Sequence, residues 1–113
     1  MSAITTHVLD TALGRPAAGV HVELEFHEQA GWRTLARGTT DSDGRLRTLL
    51  PDGVPLVPGE YRLVFDMDEY FARTHPERFY KRVTVEFTVG AGEAQCHVPL
   101  LLSPFGYSTY RGS

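Results

Sequence analysis

The sequence predicts an all-β protein, an antiparallel β-sandwich that carries one short helix. Apolar and polar residues alternate along several runs, which is typical of strands with one buried face. Turn signals rich in glycine, proline and aspartate separate these runs at regular spacing, as in sandwiches. The crossover helices that a parallel α/β sheet requires are missing from the pattern. These observations favour seven or eight short strands in a single domain that spans residues 1–113.

Four runs carry the clearest alternation and are expected to supply the core. Their apolar positions are Val20, Val22, Leu24 and Phe26; Tyr61, Leu63 and Phe65; Val83, Val85, Phe87 and Val89; and Cys96, Val98 and Leu100. Turn signals lie at 13–16, 41–44, 57–59 and 90–92. A helix is predicted from Met67 to about Thr74, with Asp66 as its candidate N-cap. The following His75-Pro76 pair ends it, because the residue before proline avoids helical geometry.

Composition and charge narrow the classes of partner. The net charge is −3 and no long basic block is present, so we expect no nucleic-acid partner. The single cysteine, Cys96, cannot form an internal disulfide, and an oxidising compartment is not implied. No run approaches the roughly 18 apolar residues of a membrane span, and no signal peptide is visible. We therefore expect a soluble cytoplasmic protein with no membrane partner.

The end of the chain is chemically rich for a terminus. Tyr110, Arg111, Gly112 and Ser113 place a phenol, a guanidinium and a terminal carboxylate within four residues. Aromatic and β-branched residues just before them favour a strand, which would hold these groups in place as a site. The alternative is an edge strand whose last residues are solvated, and the local pattern alone favours that alternative.

Three internal residues are further candidates for a site. His7 shares a strand face with Thr5 and Leu9, while His97 lies on the face of its strand opposite the core positions. Arg45 follows Asp43-Gly44, a hairpin signal that places it at the start of a strand. Such residues either decorate the surface or line a groove between subunits, and the pattern leaves both interpretations open.

The remaining histidines are interpreted as structural. His21 and His27 share a solvated or interfacial face with Glu23 and Glu25, and His75 complements the dipole at the end of the helix. The histidines lack the close spacing of a zinc site, so we predict no metal. A glycine-rich phosphate loop and a Gly-x-Ser-x-Gly nucleophile motif are also missing from the sequence.

Three segments together resemble the transthyretin-related family, and specifically its hydrolase branch. They are Thr6-His7-Val8-Leu9-Asp10-Thr11 with Gly14-Arg15-Pro16-Ala17, then Thr40-Asp41-Ser42-Asp43-Gly44-Arg45, then His97-Val98-Pro99-Leu100-Leu101-Leu102-Ser103-Pro104 running into Tyr107-Ser108-Thr109-Tyr110-Arg111-Gly112-Ser113. The most specific mark is the terminal Tyr-Arg-Gly-Ser, since the hormone-carrying branch resembles the chain up to Tyr-Ser-Thr and then diverges. One departure is Gln95, where many relatives have histidine; it is expected to face the same way as His97.

The resemblance implies a fold, an assembly and a reaction. The fold is a transthyretin-like sandwich of two four-stranded sheets, assembled as a homotetramer with its sites at the dimer–dimer interface. The reaction is hydrolytic ring opening of 5-hydroxyisourate to a ureido-imidazoline, on the path from urate to allantoin in purine degradation. No cofactor or metal is implied. The alternative is a transthyretin-like carrier that binds a small ligand without chemistry.

The same resemblance implies the site residues. The catalytic set is His7, Arg45, His97 and Ser113, and the substrate-binding set is His7, Arg45, Tyr110, Arg111 and Gly112. Arg45 is expected to polarise substrate oxygens, and a histidine to act as general base. His7 and His97 both remain candidates for that base. Ser113 is expected to place water or a histidine, and Arg111 either binds substrate or only anchors the tail.

Overall fold

The computed structural model describes residues 2–113, so Met1 of the predicted 1–113 domain lies outside the described residues. Within this range the chain forms nine strands and one helix. They are β1 Ile4–Asp10, β2 Arg15–Pro16, β3 His21–Glu28, β4 Gly31–Thr39, β5 Arg45–Leu46, β6 Gly59–Asp66, α1 Asp68–Thr74, β7 Arg82–Val89, β8 Cys96–Ser103 and β9 Gly106–Thr109.

The strands form two sheets, as predicted for a β-sandwich with one short helix. The first, called here the β3 sheet, has the order β4-β3-β6-β7 and is antiparallel throughout. The second, the β1 sheet, has the order β2-β1-β8-β9, and β5 also pairs with β1. Both β2 and β5 are antiparallel to β1. They pair with one edge of β1, and β8 pairs with the other.

The β1 sheet differs from the prediction in two details. It has five strands rather than four, because the two-residue strands β2 and β5 both pair with β1. In addition, β1 and β8 run parallel, with Thr5 opposite His97. A parallel pair needs a long crossover, and here the whole β3 sheet lies between the two strands in sequence.

The core lies between the two sheets and confirms the predicted alternation. The fully buried side chains come from both sheets and include Ile4, Val8, Leu24, Leu63, Phe65, Leu100 and Leu102. Of the predicted core positions, Phe26, Val85 and Phe87 are half-buried and pack against this cluster rather than within it. Alternate residues of a strand face opposite sides of its sheet, so the polar residues between them lie on the outer faces.

The helix α1 spans Asp68–Thr74 and begins one residue later than Met67, which occupies its N-cap position. The predicted cap Asp66 lies one residue further out and accepts a 3.2 Å hydrogen bond from the backbone N–H of Asp68. No helix among the described residues is long and apolar enough to cross a membrane.

A buried carboxylate joins the helix to the end of β1. Oδ2 of Asp10 accepts hydrogen bonds from the Tyr70 hydroxyl at 2.6 Å and from Nε2 of His75 at 2.8 Å. Oδ1 accepts from the backbone N–H groups of Ala12 and Leu13, each at 3.0 Å. His75 is therefore structural, as predicted, but it acts through the Asp10 carboxylate. Burial acts to raise the pKa of Asp10, yet these hydrogen bonds outweigh it and hold the pKa below its ordinary value.

The charge on Asp10 gives a prediction for Tyr70→Phe, with Tyr61→Phe as the matched control. The Tyr61 hydroxyl donates at 2.6 Å to a neutral acceptor, the Val57 carbonyl. Loss of a hydrogen bond to a charged group is expected to lower the free energy of unfolding by about 1.5–3 kcal/mol, against about 0.5–1.5 kcal/mol for the control. Urea unfolding at one fixed protein concentration measures both.

The difference in free energy of unfolding between Tyr70→Phe and Tyr61→Phe is expected to depend on pH. Because the folded pKa of Asp10 is lowered, its stabilisation is present above the ordinary value of 3.8 and is lost as the pH falls through the folded pKa. The cost of Tyr70→Phe should therefore shrink in acid toward that of Tyr61→Phe. Equal costs at pH 7 would contradict a charged acceptor at Asp10.

Candidate active site

Pairing on both edges of β1 brings the internal candidates together. His7 lies opposite Arg45 in the β1–β5 pair, and Thr5 lies opposite His97 in the β1–β8 pair. Thr5 and His7 are two residues apart on β1, so they share the face that points away from the core. The sequence predicted these faces correctly, and the pairing adds which residues are neighbours.

A polar cleft of about 180 Å³ opens beside the starts of β1, β5 and β8. Four of the predicted site residues line it: Arg45, His97, Gly112 and Ser113. The other residues of its wall are Ser2, Thr5, Thr6, Arg47, Gln95 and Cys96. The cleft thus combines an imidazole, two guanidinium groups and the chain terminus.

The turn before β5 fixes Arg45. Oδ1 of Asp41 accepts hydrogen bonds from the backbone N–H groups of Asp43 at 2.9 Å and Arg45 at 3.0 Å. The bond from Arg45 is the main cause that holds the pKa of the Asp41 carboxyl below its ordinary value. Gly44 has φ +74°, and a Cβ there would lie 2.3 Å from the Val8 carbonyl oxygen, so this turn requires glycine.

His7 is held by the same turn and lies outside the wall of the cleft. Its Nε2 donates a 2.9 Å hydrogen bond to the Asp43 carbonyl, which leaves Nδ1 as the acceptor of a neutral ring. His7 is still close enough to His97 for its charge to influence the imidazole of that residue.

The imidazole of His97 is held from two sides. Its Nδ1 lies 2.7 Å from the Thr5 hydroxyl oxygen. On the opposite edge, a Cβ built on Gly112 would lie only 2.5 Å from Cδ2 of the ring, so the Gly112 backbone packs directly against it. The tip of the ring, which includes Nε2, is therefore directed away from β8.

The surroundings of His97 favour its neutral form. Burial lowers its pKa from the ordinary value of 6.5, and the nearby charges of Arg45 and His7 lower it further. A hydrogen bond with the backbone of Thr5 acts in the opposite direction but does not outweigh them. The imidazole is neutral at pH 7, in the form that accepts a proton.

The C-terminal tail is attached to β8 beyond the end of β9. The Thr109 hydroxyl donates to the Pro99 carbonyl at 2.6 Å, and the Gly112 N–H donates to the His97 carbonyl at 2.9 Å. The structure thus combines the two interpretations of the terminus, since β9 is an edge strand and the tail after it is hydrogen-bonded beside the cleft.

Two of the predicted site residues in the tail do not line the cleft. Tyr110 and Arg111 line a neighbouring groove of about 210 Å³ between β7 and the tail, rather than the cleft itself. The Arg111 guanidinium lies 3.3 Å from the carboxylate of Glu93, so in this chain it anchors the tail. Neither residue is brought together with Arg45 in the cleft wall.

Among the cleft residues that sequence reasoning missed are Thr5 and Arg47. Thr5 contacts His97 directly, and its only signal was the face that it shares with His7. Arg47 adds a second guanidinium, and its only signal was its spacing of two residues from Arg45. Among residues 2–113, no three His, Cys, Asp or Glu side chains converge as metal ligands.

The sandwich topology and the polar cleft beside its chain terminus define a transthyretin-like protein. Residues 4–112 match the model described as the HIUase/Transthyretin family, and the chain belongs to that family. A 5-hydroxyisourate hydrolase of Mus musculus is 45% identical over 114 residues, which cover 99% of this chain and 96% of the mouse protein.

Solved structures of both branches of the family resemble the chain. The 5-hydroxyisourate hydrolase of Klebsiella pneumoniae matches with a TM-score of 0.84 and 38% identity over 99% of this chain and 100% of that one. Transthyretin of Sparus aurata matches with a TM-score of 0.87 and 29% identity over 99% and 97%. The backbone fits both branches equally well, whereas the sequence identity is higher to the hydrolase.

The packing of Gly112 on His97 predicts the effect of Gly112→Ala, with Gly106→Ala as the matched control. A Cβ at Gly112 would collide with the imidazole, but one at Gly106 would meet only Ser103 Oγ at 3.7 Å. Gly112→Ala should displace the ring from its buried position and raise the pKa of His97 toward 6.5, while Gly106→Ala leaves it lowered. Titration of the histidine Cε1 protons by NMR measures both. An unchanged titration in Gly112→Ala would contradict the contact.

Proposed function

We propose that this protein is a 5-hydroxyisourate hydrolase. It would open the cyclic amide of 5-hydroxyisourate by hydrolysis and release the ureido-imidazoline that leads from urate toward allantoin. The observation that carries the proposal is the neutral imidazole of His97 beside the Arg45 guanidinium in a polar cleft. The identity to named 5-hydroxyisourate hydrolases over nearly the full chain supports the same reaction.

Arg45 acts in this proposal as the electrophilic group. The substrate is flat and rich in carbonyl oxygens, which suits the rigid fork of a guanidinium. As water adds to the scissile carbonyl, negative charge develops on its oxygen, and a fixed cation stabilises that charge. Arg45 has a second effect, because its charge disfavours protonation of His97.

His97 acts as the general base, and the geometry favours it over His7. His97 lines the cleft and carries a lowered pKa, whereas His7 lies outside the wall with Nε2 bonded to Asp43. Nε2 of His97 takes a proton from water as the water oxygen bonds to the carbonyl carbon. The C–N bond then breaks, and the imidazolium returns the proton to the leaving nitrogen.

The remaining predicted residues support this chemistry. Ser113, through its hydroxyl or its terminal carboxylate, places the water at the cleft wall. Gly112 packs on the base, and His7 contributes to the charge around it. Tyr110 and Arg111 line the neighbouring groove, which His97 also borders, so they lie on the other side of the proposed base from Arg45.

The proposal includes a homotetramer with its sites at the dimer–dimer interface. Strands β7 and β9 are each an edge strand of their sheet, and such edges readily pair with another chain. Large exposed aromatics in the same part of the molecule support association: Phe79 is 74% exposed and Phe105 is 67% exposed. A cytoplasmic location is also part of the proposal and rests on the sequence, whose single cysteine needs no oxidising compartment.

The activity is tested by following the absorbance of 5-hydroxyisourate, generated in place from urate by urate oxidase. We expect its decay to accelerate in proportion to the concentration of this protein. The absence of acceleration, from protein that is folded and sediments as a tetramer, would overturn the proposal and favour the ligand-carrier alternative.

The role of His97 is tested by His97→Ala, with His27→Ala as the control. His27 is exposed on the β3 sheet, where it stacks against Trp32. Loss of the base should lower kcat/KM by about 10²–10⁴ with the oligomeric state unchanged, and the control should keep its activity. In the wild type, kcat/KM should rise with pH through an inflection below 6.5, because His97 must be neutral. Full activity in His97→Ala would show that this assignment is wrong.

A further inference from the structure

One contact to the proposed base comes from a residue with no assigned role. Thr5 lies on β1 directly opposite His97 and is only 8% exposed. Its hydroxyl oxygen lies 2.7 Å from Nδ1 of His97, a normal hydrogen-bond distance. The bond joins residues that are 92 positions apart in sequence, so it exists only because β1 and β8 pair in this register.

The direction of this hydrogen bond decides which nitrogen of His97 is the base. A neutral imidazole carries one proton, and the nitrogen that lacks it is the acceptor. The Thr5 hydroxyl is able to donate to Nδ1 or to accept from it. Only one direction suits the proposed reaction: when Nδ1 donates to the Thr5 hydroxyl, Nε2 carries the lone pair that a general base requires.

With the proton on Nδ1, the lone pair of Nε2 lies at the free tip of the ring. A flip of the ring would exchange Nδ1 with Cδ2 and lose the hydrogen bond to Thr5, while the Gly112 backbone packs against the opposite edge of the ring. A base with its other nitrogen held by a protein acceptor is the arrangement by which enzymes fix the tautomer of a catalytic histidine.

We propose that Thr5 is the positioning residue of the site, and that its hydroxyl holds His97 in the tautomer with a free Nε2. This inference rests on the proposed function, in which His97 is the general base. Thr5 acts through the imidazole, to which its hydroxyl is hydrogen-bonded. A β-branched side chain suits this role, because its χ1 angle is restricted on a strand.

A threonine at the far end of β1 offers a matched control. Thr11 directly follows β1, and its hydroxyl donates at 3.1 Å to the Leu102 carbonyl of β8. It therefore has the same residue type and the same partner strand as Thr5, but it does not line the cleft. Its hydrogen bond ends on the backbone and not on an imidazole, so its loss should affect stability alone.

The test compares Thr5→Val, Thr5→Ser and Thr11→Val. Thr5→Val keeps the shape but removes the hydroxyl, and kcat should fall about 10- to 100-fold, the usual effect of losing the partner that orients a functional histidine. KM should change less than kcat, because the hydroxyl of Thr5 is hydrogen-bonded to the imidazole. Thr5→Ser should restore most of kcat, and Thr11→Val should retain it while lowering the unfolding midpoint.

A second readout reports the tautomer without any turnover. The ¹⁵N shifts of the His97 ring should show Nδ1–H in the wild type and in Thr5→Ser, and a mixture of tautomers in Thr5→Val. If Thr5→Val does not fold, Thr5→Ala removes the same hydroxyl with a smaller side chain and replaces it in both measurements.

The outcomes separate the two proposals. An active wild type with unchanged kcat and tautomer in Thr5→Val would overturn the role of Thr5 and leave the hydrolase standing. An inactive wild type whose tautomer changes in Thr5→Val would overturn the hydrolase but support the positioning contact. A fall in kcat for Thr11→Val equal to that for Thr5→Val would also overturn the inference, because it would show general damage to the contact between β1 and β8.

Discussion

Every feature of the cleft depends on hydrogen bonding along both edges of β1. One edge pairs with β5 and sets Arg45 beside His7, and the other pairs with β8 and sets His97 beside Thr5. A slip of one residue in either register would turn the whole set of side chains toward the core. The buried Asp10 carboxylate at the far end of β1 ties the same strand to α1, so the strand that carries the site is fixed at its end as well.

Charged residues are arranged differently on the two outer faces of the sandwich. On the β3 sheet, cations are matched by carboxylates, as in the pairs Arg62–Glu25 at 2.5 Å and Arg37–Glu23 at 3.3 Å. Around the cleft, the Arg45 guanidinium instead lies near the imidazole of His97, and burial together with the charges of Arg45 and His7 lowers the pKa of that histidine. Matched charges give a stable outer surface, whereas a histidine with a shifted pKa in a cleft is typical of a functional site.

The fold was predictable where a local pattern reports burial. Period-two alternation predicted that Leu24, Leu63 and Leu100 face the core, and the Asp43-Gly44 signal predicted the turn before Arg45. The parallel direction of β8 was not predictable, because alternation is the same for both strand directions. The strand β2 was also missed, since two residues are too few for a periodic pattern, whereas the start of β5 at Arg45 was predicted from the turn before it.

The sequence suggested candidate members of the site but not their contacts. The resemblance supplied His7, Arg45, His97 and the tail, yet the separation of Tyr110 and Arg111 from the cleft appears only in three dimensions. The contact of Thr5 with His97 depends on a register between distant strands, which tertiary packing decides. The packing of Gly112 on the imidazole needs a tail that folds back, and glycine alone gives no such signal.

The most direct test of this account is a crystal structure of the protein with a non-hydrolysable planar analogue of 5-hydroxyisourate. The account predicts the analogue in the polar cleft, with a carbonyl oxygen on the Arg45 guanidinium. Nε2 of His97 should lie within hydrogen-bond reach, about 2.6–3.2 Å, of a water beside the scissile position. An analogue bound elsewhere, such as in the charged trough on the β3 sheet that includes Arg62 and Glu25, would contradict it.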